Sequence, residues 1–124
     1  MVGLITKIKD RIQRRKAEHG LPKIRKEDLW VLDETLAKII ALYLRKFIDA
    51  ISVSGATPAC FCYTEDGREI DNGWDTWRDI LGKMLYAFEE YPEWNNEDTE
   101  DPEKDSRIRE GIALFAKYFG YLYY

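Results

Sequence analysis

The sequence predicts a mainly α-helical protein: a compact three-helix bundle core with an extra N-terminal amphipathic basic helix and a small β-hairpin insertion. Apolar residues recur at intervals of three and four in three long segments, 27–50, 74–91 and 103–123. A fourth segment, 2–19, combines a narrower apolar stripe with many Lys and Arg side chains. Connections of this length between helices favour antiparallel neighbours.

Length and composition indicate one packed domain spanning residues 1–124. Hydrophobic residues make up 45% of the 124 residues and aromatic residues 14%, which argues against general disorder. The chain has no apolar run of the roughly 20 residues that a membrane-spanning helix needs, and its start lacks the pattern of a secretory signal. We therefore expect a protein without a transmembrane segment that works in the cytoplasm.

The N-terminal segment is strongly basic. Residues 1–26 carry a net charge of +7 and the remainder −11, so residues 1–22 are expected to form a basic helix or arm that packs on the core or contacts a partner. The candidate partner contacts on this helix are Lys7, Arg11, Arg14 and Arg15. A nucleic-acid partner is disfavoured because the acidic remainder would repel a polyanion. An anionic membrane surface is also disfavoured as a partner, because the apolar face of this helix is only about three turns long.

The segment 27–50 gives the strongest helical pattern. It carries one apolar stripe and a second beside it: Leu29, Leu32, Leu36, Ile39, Tyr43 and Phe47, then Trp30, Ala37, Ile40 and Leu44. A helix with so wide an apolar surface is expected at the centre of the domain. The segments 74–91 and 103–123 would pack around it.

The segment 51–73 interrupts the helical pattern. Residues 59–63 and 68–70 are predicted to form the two strands of a hairpin, joined by an Asp66-Gly67 turn. Cys60 and Cys62 lie within the first strand, where a disulfide across one residue would be strained. A zinc site would need more ligands than these two thiols and the single histidine, His19. We expect two reduced thiols, no metal and no cofactor.

Few residues are suited to catalysis. The chain has no phosphate-binding glycine motif, and His19, at the end of a charged helix, is the single candidate base for a nucleophile. Asp33 lies inside the helix expected to be most buried, so its carboxylate needs a partner. We predict a structural ion pair with Lys83, or a hydrogen bond from a neighbouring indole; carboxylate-dependent catalysis at Asp33 is the alternative.

An acidic stretch and a set of aromatic residues are candidates for binding. Residues 93–106 hold seven acidic side chains and one lysine, which predicts a solvated, mobile loop. Within it, Trp94 is the best candidate for an exposed anchor, followed by three tyrosines at the chain end, Tyr121, Tyr123 and Tyr124. Tyr and Trp are typical anchors of protein interfaces.

Three segments together resemble a family of small tailed-bacteriophage proteins of unassigned function. They are the run Asp28-Leu29-Trp30-Val31-Leu32-Asp33-Glu34-Thr35-Leu36-Ala37-Lys38-Ile39-Ile40, a Trp74-x-x-Trp77 helix continuing to Glu89, and the run 110–119. The resemblance covers residues 27–120 and implies a phage-encoded helical protein. It supplies no catalytic residues. The Cys60-x-Cys62 segment departs from the family's plainer loop.

The leading functional prediction is a non-enzymatic binding or inhibitory protein that acts on a host or phage macromolecule. The reasons for this prediction are the separation of basic and acidic charge along the chain, the surplus of aromatic residues and the lack of a recognisable set of catalytic residues. Three alternatives are open: a binder or sponge for a small anionic ligand such as a nucleotide, a carboxylate-dependent enzyme, and a virion or assembly component. Self-association into a homo-oligomer is compatible with each of them.

Overall fold

The computed structural model describes residues 2–18, 23–94 and 101–124, apart from the side chains of Val2 and residues 15–18. These residues are mainly helical and contain no strand. They form two compact units, Met1–Trp30 and Val31–Tyr124. The helical prediction is therefore confirmed for the described part of the chain.

The described residues of the first unit form two helices. Helix α1 spans Val2–Glu18, in agreement with the predicted segment 2–19, and its apolar stripe of Leu4, Ile5, Ile8 and Ile12 is exposed. Helix α2 spans Lys26–Trp30. The backbone N–H and the guanidinium of Arg25 both donate to the Asp28 carboxylate, which fixes the start of α2 and lowers the pKa of Asp28.

The predicted helix 27–50 is in fact two helices. After α2, Val31 leaves the helical conformation with φ −126° and ψ 53°, and helix α3 spans Leu32–Ser54. Helix α3 ends at Gly55, whose φ of +69° favours glycine and whose N–H donates to the Ile51 carbonyl. The apolar periodicity of the sequence continues through Val31, so the break between α2 and α3 could not be predicted from it.

Helix α3 is not the central helix that its two apolar stripes predict. It buries one face, made by Ala37, Ala41, Leu44 and Ile51, against helix α5, which spans Gly73–Glu90. The other stripe remains exposed: Leu32, Leu36, Ile39 and Tyr43 retain 38–70% of their accessible surface. Helix α5 is central instead because both α3 and helix α6, Pro102–Tyr118, pack on it.

The predicted β-hairpin is wrong. Residues 59–62 form the short helix α4, Ala59–Cys62, and only Tyr63 and Glu69 pair in an isolated antiparallel bridge. The expected turn at Asp66-Gly67 is present, with Gly67 at φ +85°. The helical turn brings the Phe61 ring onto Trp77 in the core, with ring centroids 5.4 Å apart, and this packing replaces the strand.

Close packing of α5 on α6 depends on a glycine. A side chain at Gly111 of α6 would clash with the Ala87 side chain and the Lys83 carbonyl of α5. The core between the helices contains Trp77, Leu81, Met84 and Ile108, all fully buried. None of the helices in the described ranges combines the length and hydropathy that a membrane span requires.

Part of the acidic stretch 93–106, predicted as a loop, is helical. Residues 91–93 form a 3₁₀ turn, and α6 already begins at Pro102, with the Asp101 carboxylate accepting a hydrogen bond from the Lys104 N–H. Proline at the first helical position and an Asp cap are strong start signals, which outweigh the acidic composition. Residues 95–100 of the predicted loop lie outside the described residues.

Candidate functional site

The three tyrosines at the chain end line one concave surface. After α6, a 3₁₀ turn over Phe119–Tyr121 redirects the chain, and Tyr121, Tyr123 and Tyr124 remain 41–77% exposed. Together with residues 56–59 they enclose a shallow cavity of about 210 Å³. We call these three tyrosines and residues 56–59 the tyrosine surface.

Ring contacts hold the tyrosine surface to the core. Tyr121 packs on Tyr118 at 6.0 Å between ring centroids, and Tyr118 in turn contacts Phe61 and Trp77. Tyr124 lies 6.0 Å from Phe47 of α3. The Tyr123 N–H donates to the Tyr121 carbonyl at 2.9 Å. The chain end is therefore docked, and the exposed rings are attached to a fixed backbone.

Trp94 is half-buried, not the exposed anchor that the sequence predicts. Its ring packs against Tyr91 at 5.6 Å, and the guanidinium of Arg109 lies 5.1 Å from the ring centroid. The indole N–H is buried and has no hydrogen-bond partner among the described residues. The polar sequence around Trp94 suggested exposure, but the Tyr91 ring and the Arg109 guanidinium cover part of the indole.

The structure describes the side chains of three of the four basic residues that were predicted on α1 as partner contacts. Lys7, Arg11 and Arg14 are exposed on α1, and the side chain of Arg15 lies outside the described residues. These side chains belong to the first unit, whereas the tyrosine surface belongs to the second.

The predicted ion pair between Asp33 and Lys83 is wrong. Asp33 is exposed in the first turn of α3 and accepts a hydrogen bond from the Tyr91 hydroxyl at 2.7 Å, which lowers the pKa of Asp33 and raises that of Tyr91. The Lys83 ammonium lies 3.4 Å from both Asp79 and Glu110, whose carboxylates raise its pKa. A phenol, rather than an ammonium or an indole, is the partner of Asp33.

A charged groove of about 550 Å³ lies between α5 and α6. Three cations and three carboxylates line it: Arg78, Lys83 and Arg107, with Asp75, Asp79 and Glu110. The guanidinium of Arg107 lies over the Tyr86 ring at 5.0 Å, and Lys83 is already paired. The balance of charge and the paired cations give this groove no excess positive potential for an anion.

The structure contains an apolar cleft that the sequence did not predict. It encloses about 330 Å³ between α3 and the chain end, and its walls include Ile39, Tyr43, Phe47, Phe115 and Phe119. The sequence places Ile39, Tyr43 and Phe47 on one apolar stripe of a helix expected at the centre of the domain. The presence of two stripes on this helix was the available signal, because a helix packed on one neighbour can bury only one of them.

The cysteines are free thiols: Cys60 is exposed and Cys62 half-buried. Within the described residues, no group of three His, Cys, Asp or Glu side chains is arranged to hold a metal ion. His19 lies outside the described residues.

Comparison with known proteins adds no relative. No family model, curated protein or solved structure matches this chain. The chemistry of the described surfaces is therefore what bears on function, and the phage resemblance stays a prediction.

Proposed function

We propose that this is a non-enzymatic binding protein that attaches to a host or phage protein through its tyrosine surface. The observation that supports it is the convergence of Tyr121, Tyr123 and Tyr124 on one concave, exposed surface backed by the core. In this proposal the chain is phage-encoded and acts in the cytoplasm of the host cell.

Tyrosine suits such a surface for physical reasons. Its ring buries a large area on contact, and its hydroxyl can form a hydrogen bond when the ring is covered. It also has few rotatable bonds, so little conformational entropy is lost on binding. The ring contacts of Tyr121 and Tyr124 with Tyr118 and Phe47 reduce that loss further.

The charge of the second unit favours a partner with a basic surface. Residues 31–124 carry ten basic and 19 acidic side chains, a net charge of −9. Opposite charge on the partner would accelerate encounter, and salt would weaken that attraction. Helices α3, α5 and α6, in this proposal, form a three-helix bundle that acts as the rigid support for the surface.

Comparative capture from bacterial lysate tests this function. The full chain is immobilised as wild type, as the triple variant Tyr121→Ser/Tyr123→Ser/Tyr124→Ser, and as the matched control Tyr63→Ser, an exposed tyrosine outside the surface. The wild type and the control should retain the same protein, and the triple variant should lose it. Equal retention by all three, or no specific retention, would contradict the proposal.

A small anionic ligand in the charged groove of α5 and α6 is the competing function. Its support is the groove volume, whereas the three carboxylates that balance the cations of the groove count against it. Thermal stability measured with a panel of nucleotides decides between them, since a ligand at 100 times its Kd adds about 2.7 kcal/mol to the free energy of unfolding. A nucleotide that stabilises the wild type but not Arg107→Met would favour the groove over the tyrosine surface.

A further inference from the structure

The exposed side of α3 carries a regular heptad pattern. From Leu32 to Val53, seven positions follow one another at alternating steps of four and three residues: Leu32, Leu36, Ile39, Tyr43, Lys46, Ala50 and Val53. We call these seven positions the seam. A repeat of 3.5 residues over three heptads is the pattern by which one helix packs along another.

Among the described residues of the second unit, 31–94 and 101–124, no helix covers the seam. Its large apolar members remain well exposed, up to 91% for Val53, and the flanking Leu42 is 64% exposed. At roughly 30 Å² for each buried CH₂ group, the exposed fractions of these residues leave on the order of 500 Å² of apolar surface. That is close to the roughly 600 Å² that each partner contributes to the smallest stable interfaces.

We propose that the seam is a homodimer interface, in which α3 of one copy packs antiparallel on α3 of a second copy. A two-fold axis brings the same surface of both chains together, and this surface is apolar along its whole length except at Lys46. The inference uses residues other than the tyrosine surface and does not depend on the proposed function.

The position of Lys46 favours the antiparallel orientation. If the two helices cross about the level of residue 41, Ile39 of each copy faces Tyr43 of the other, and Lys46 faces Leu36. The two Lys46 residues then lie about 15 Å apart along the helix axis, at 1.5 Å per residue, which exceeds the Debye length of about 8 Å at physiological salt. A parallel pair would place the two ammonium groups opposite each other.

Sedimentation equilibrium of the full chain tests the interface. The wild type should be a dimer, and Ile39→Glu should raise the dimer Kd at least about 100-fold by placing a carboxylate in the seam. Lys38→Glu is the control because it introduces the same side chain one residue away, off the seam; it makes each copy two charges more negative and should still raise Kd far less than Ile39→Glu. Circular dichroism checks that each variant is folded.

Lys46→Leu gives a test in which the dimer is expected to become tighter. Removing the one charge in the seam should lower the dimer Kd at least about tenfold. Raising the salt concentration should also tighten the dimer, because both copies carry a net charge of −4, whereas salt should weaken the binding of a basic partner. A wild type that stays monomeric, or an Ile39→Glu Kd equal to that of Lys38→Glu, would overturn the proposal.

Cysteine cross-linking tests the orientation. In a chain with Cys60→Ser and Cys62→Ser, Leu42→Cys should form an intermolecular disulfide readily, because the two copies of residue 42 lie beside the two-fold axis. Val53→Cys should not, because its two copies would be about 36 Å apart. Equal cross-linking at both positions would contradict the antiparallel arrangement.

Discussion

The Tyr91 hydroxyl donates a hydrogen bond of 2.7 Å to the Asp33 carboxylate and so joins residues 58 positions apart in the sequence. Asp33 is in the first turn of α3, and Tyr91 immediately follows α5. A second cross-link runs between the same two helices, where Arg45 lies 2.8 Å from Glu89. Polar contacts at the surface therefore fix α3 against α5 in addition to the core.

Replacing Tyr91 by Phe should make stability less dependent on pH in the acid range. The hydrogen bond lowers the pKa of Asp33 in the folded state, so its contribution is present above the unfolded pKa near 4 and is lost as pH falls through the lowered value. Urea unfolding should show Tyr91→Phe less stable than wild type at pH 7 and equal to it once Asp33 is protonated. A stability difference that persists unchanged in acid would contradict this assignment.

Gly111 and Gly82 provide a matched pair of glycine substitutions within helices. Gly111→Ala should destabilise the protein by about 1–3 kcal/mol, because the added methyl group collides with Ala87 and the Lys83 carbonyl. Gly82→Ala meets open space and should stabilise by about 0.5–1 kcal/mol through helix propensity. Thermal and urea denaturation of both variants check the sign, and a stabilising Gly111→Ala would mean that α5 and α6 are farther apart than described.

Leu44 and Leu36 distinguish the buried face of α3 from its exposed face. Leu44 is 4% exposed and Leu36 is 46% exposed. Leu44→Ala should cost about 3 kcal/mol in free energy of unfolding, and Leu36→Ala less than about 1 kcal/mol when measured at low protein concentration, where self-association does not contribute. Similar losses at both positions would indicate that α3 is buried on both sides.

The helices could be predicted from the sequence, but their burial could not. Periodicity and end signals located α1, α5 and α6, and Pro102 with its Asp101 cap marks the start of α6 within residues that composition assigned to a loop. The two stripes of α3 suggested a central position, whereas burial depends on how many neighbours pack on a helix, and that is a tertiary property. The strand prediction at residues 59–62 failed because Phe61 packs in the core from a helical turn.

The candidate site was predictable in part. Residue type alone singled out Tyr121, Tyr123 and Tyr124, and the structure shows what the sequence could not, that residues 56–59 close the other side of their cavity. Asp33 was expected to need a partner because it would be buried, but it is exposed. Its contact with Tyr91 depends on the meeting of two distant helix ends. Trp94 was predicted to be exposed because its contacts with Tyr91 and Arg109 leave no pattern in the sequence.

The central claim is that the tyrosine surface binds another protein. The most direct test is to purify the captured partner and measure its affinity for the wild type and for the triple variant Tyr121→Ser/Tyr123→Ser/Tyr124→Ser. Loss of interface anchors worth about 2 kcal/mol or more should raise Kd at least about 30-fold. The wild-type Kd should also rise with salt concentration. An unchanged Kd in the triple variant, with its fold intact by circular dichroism, would contradict the account.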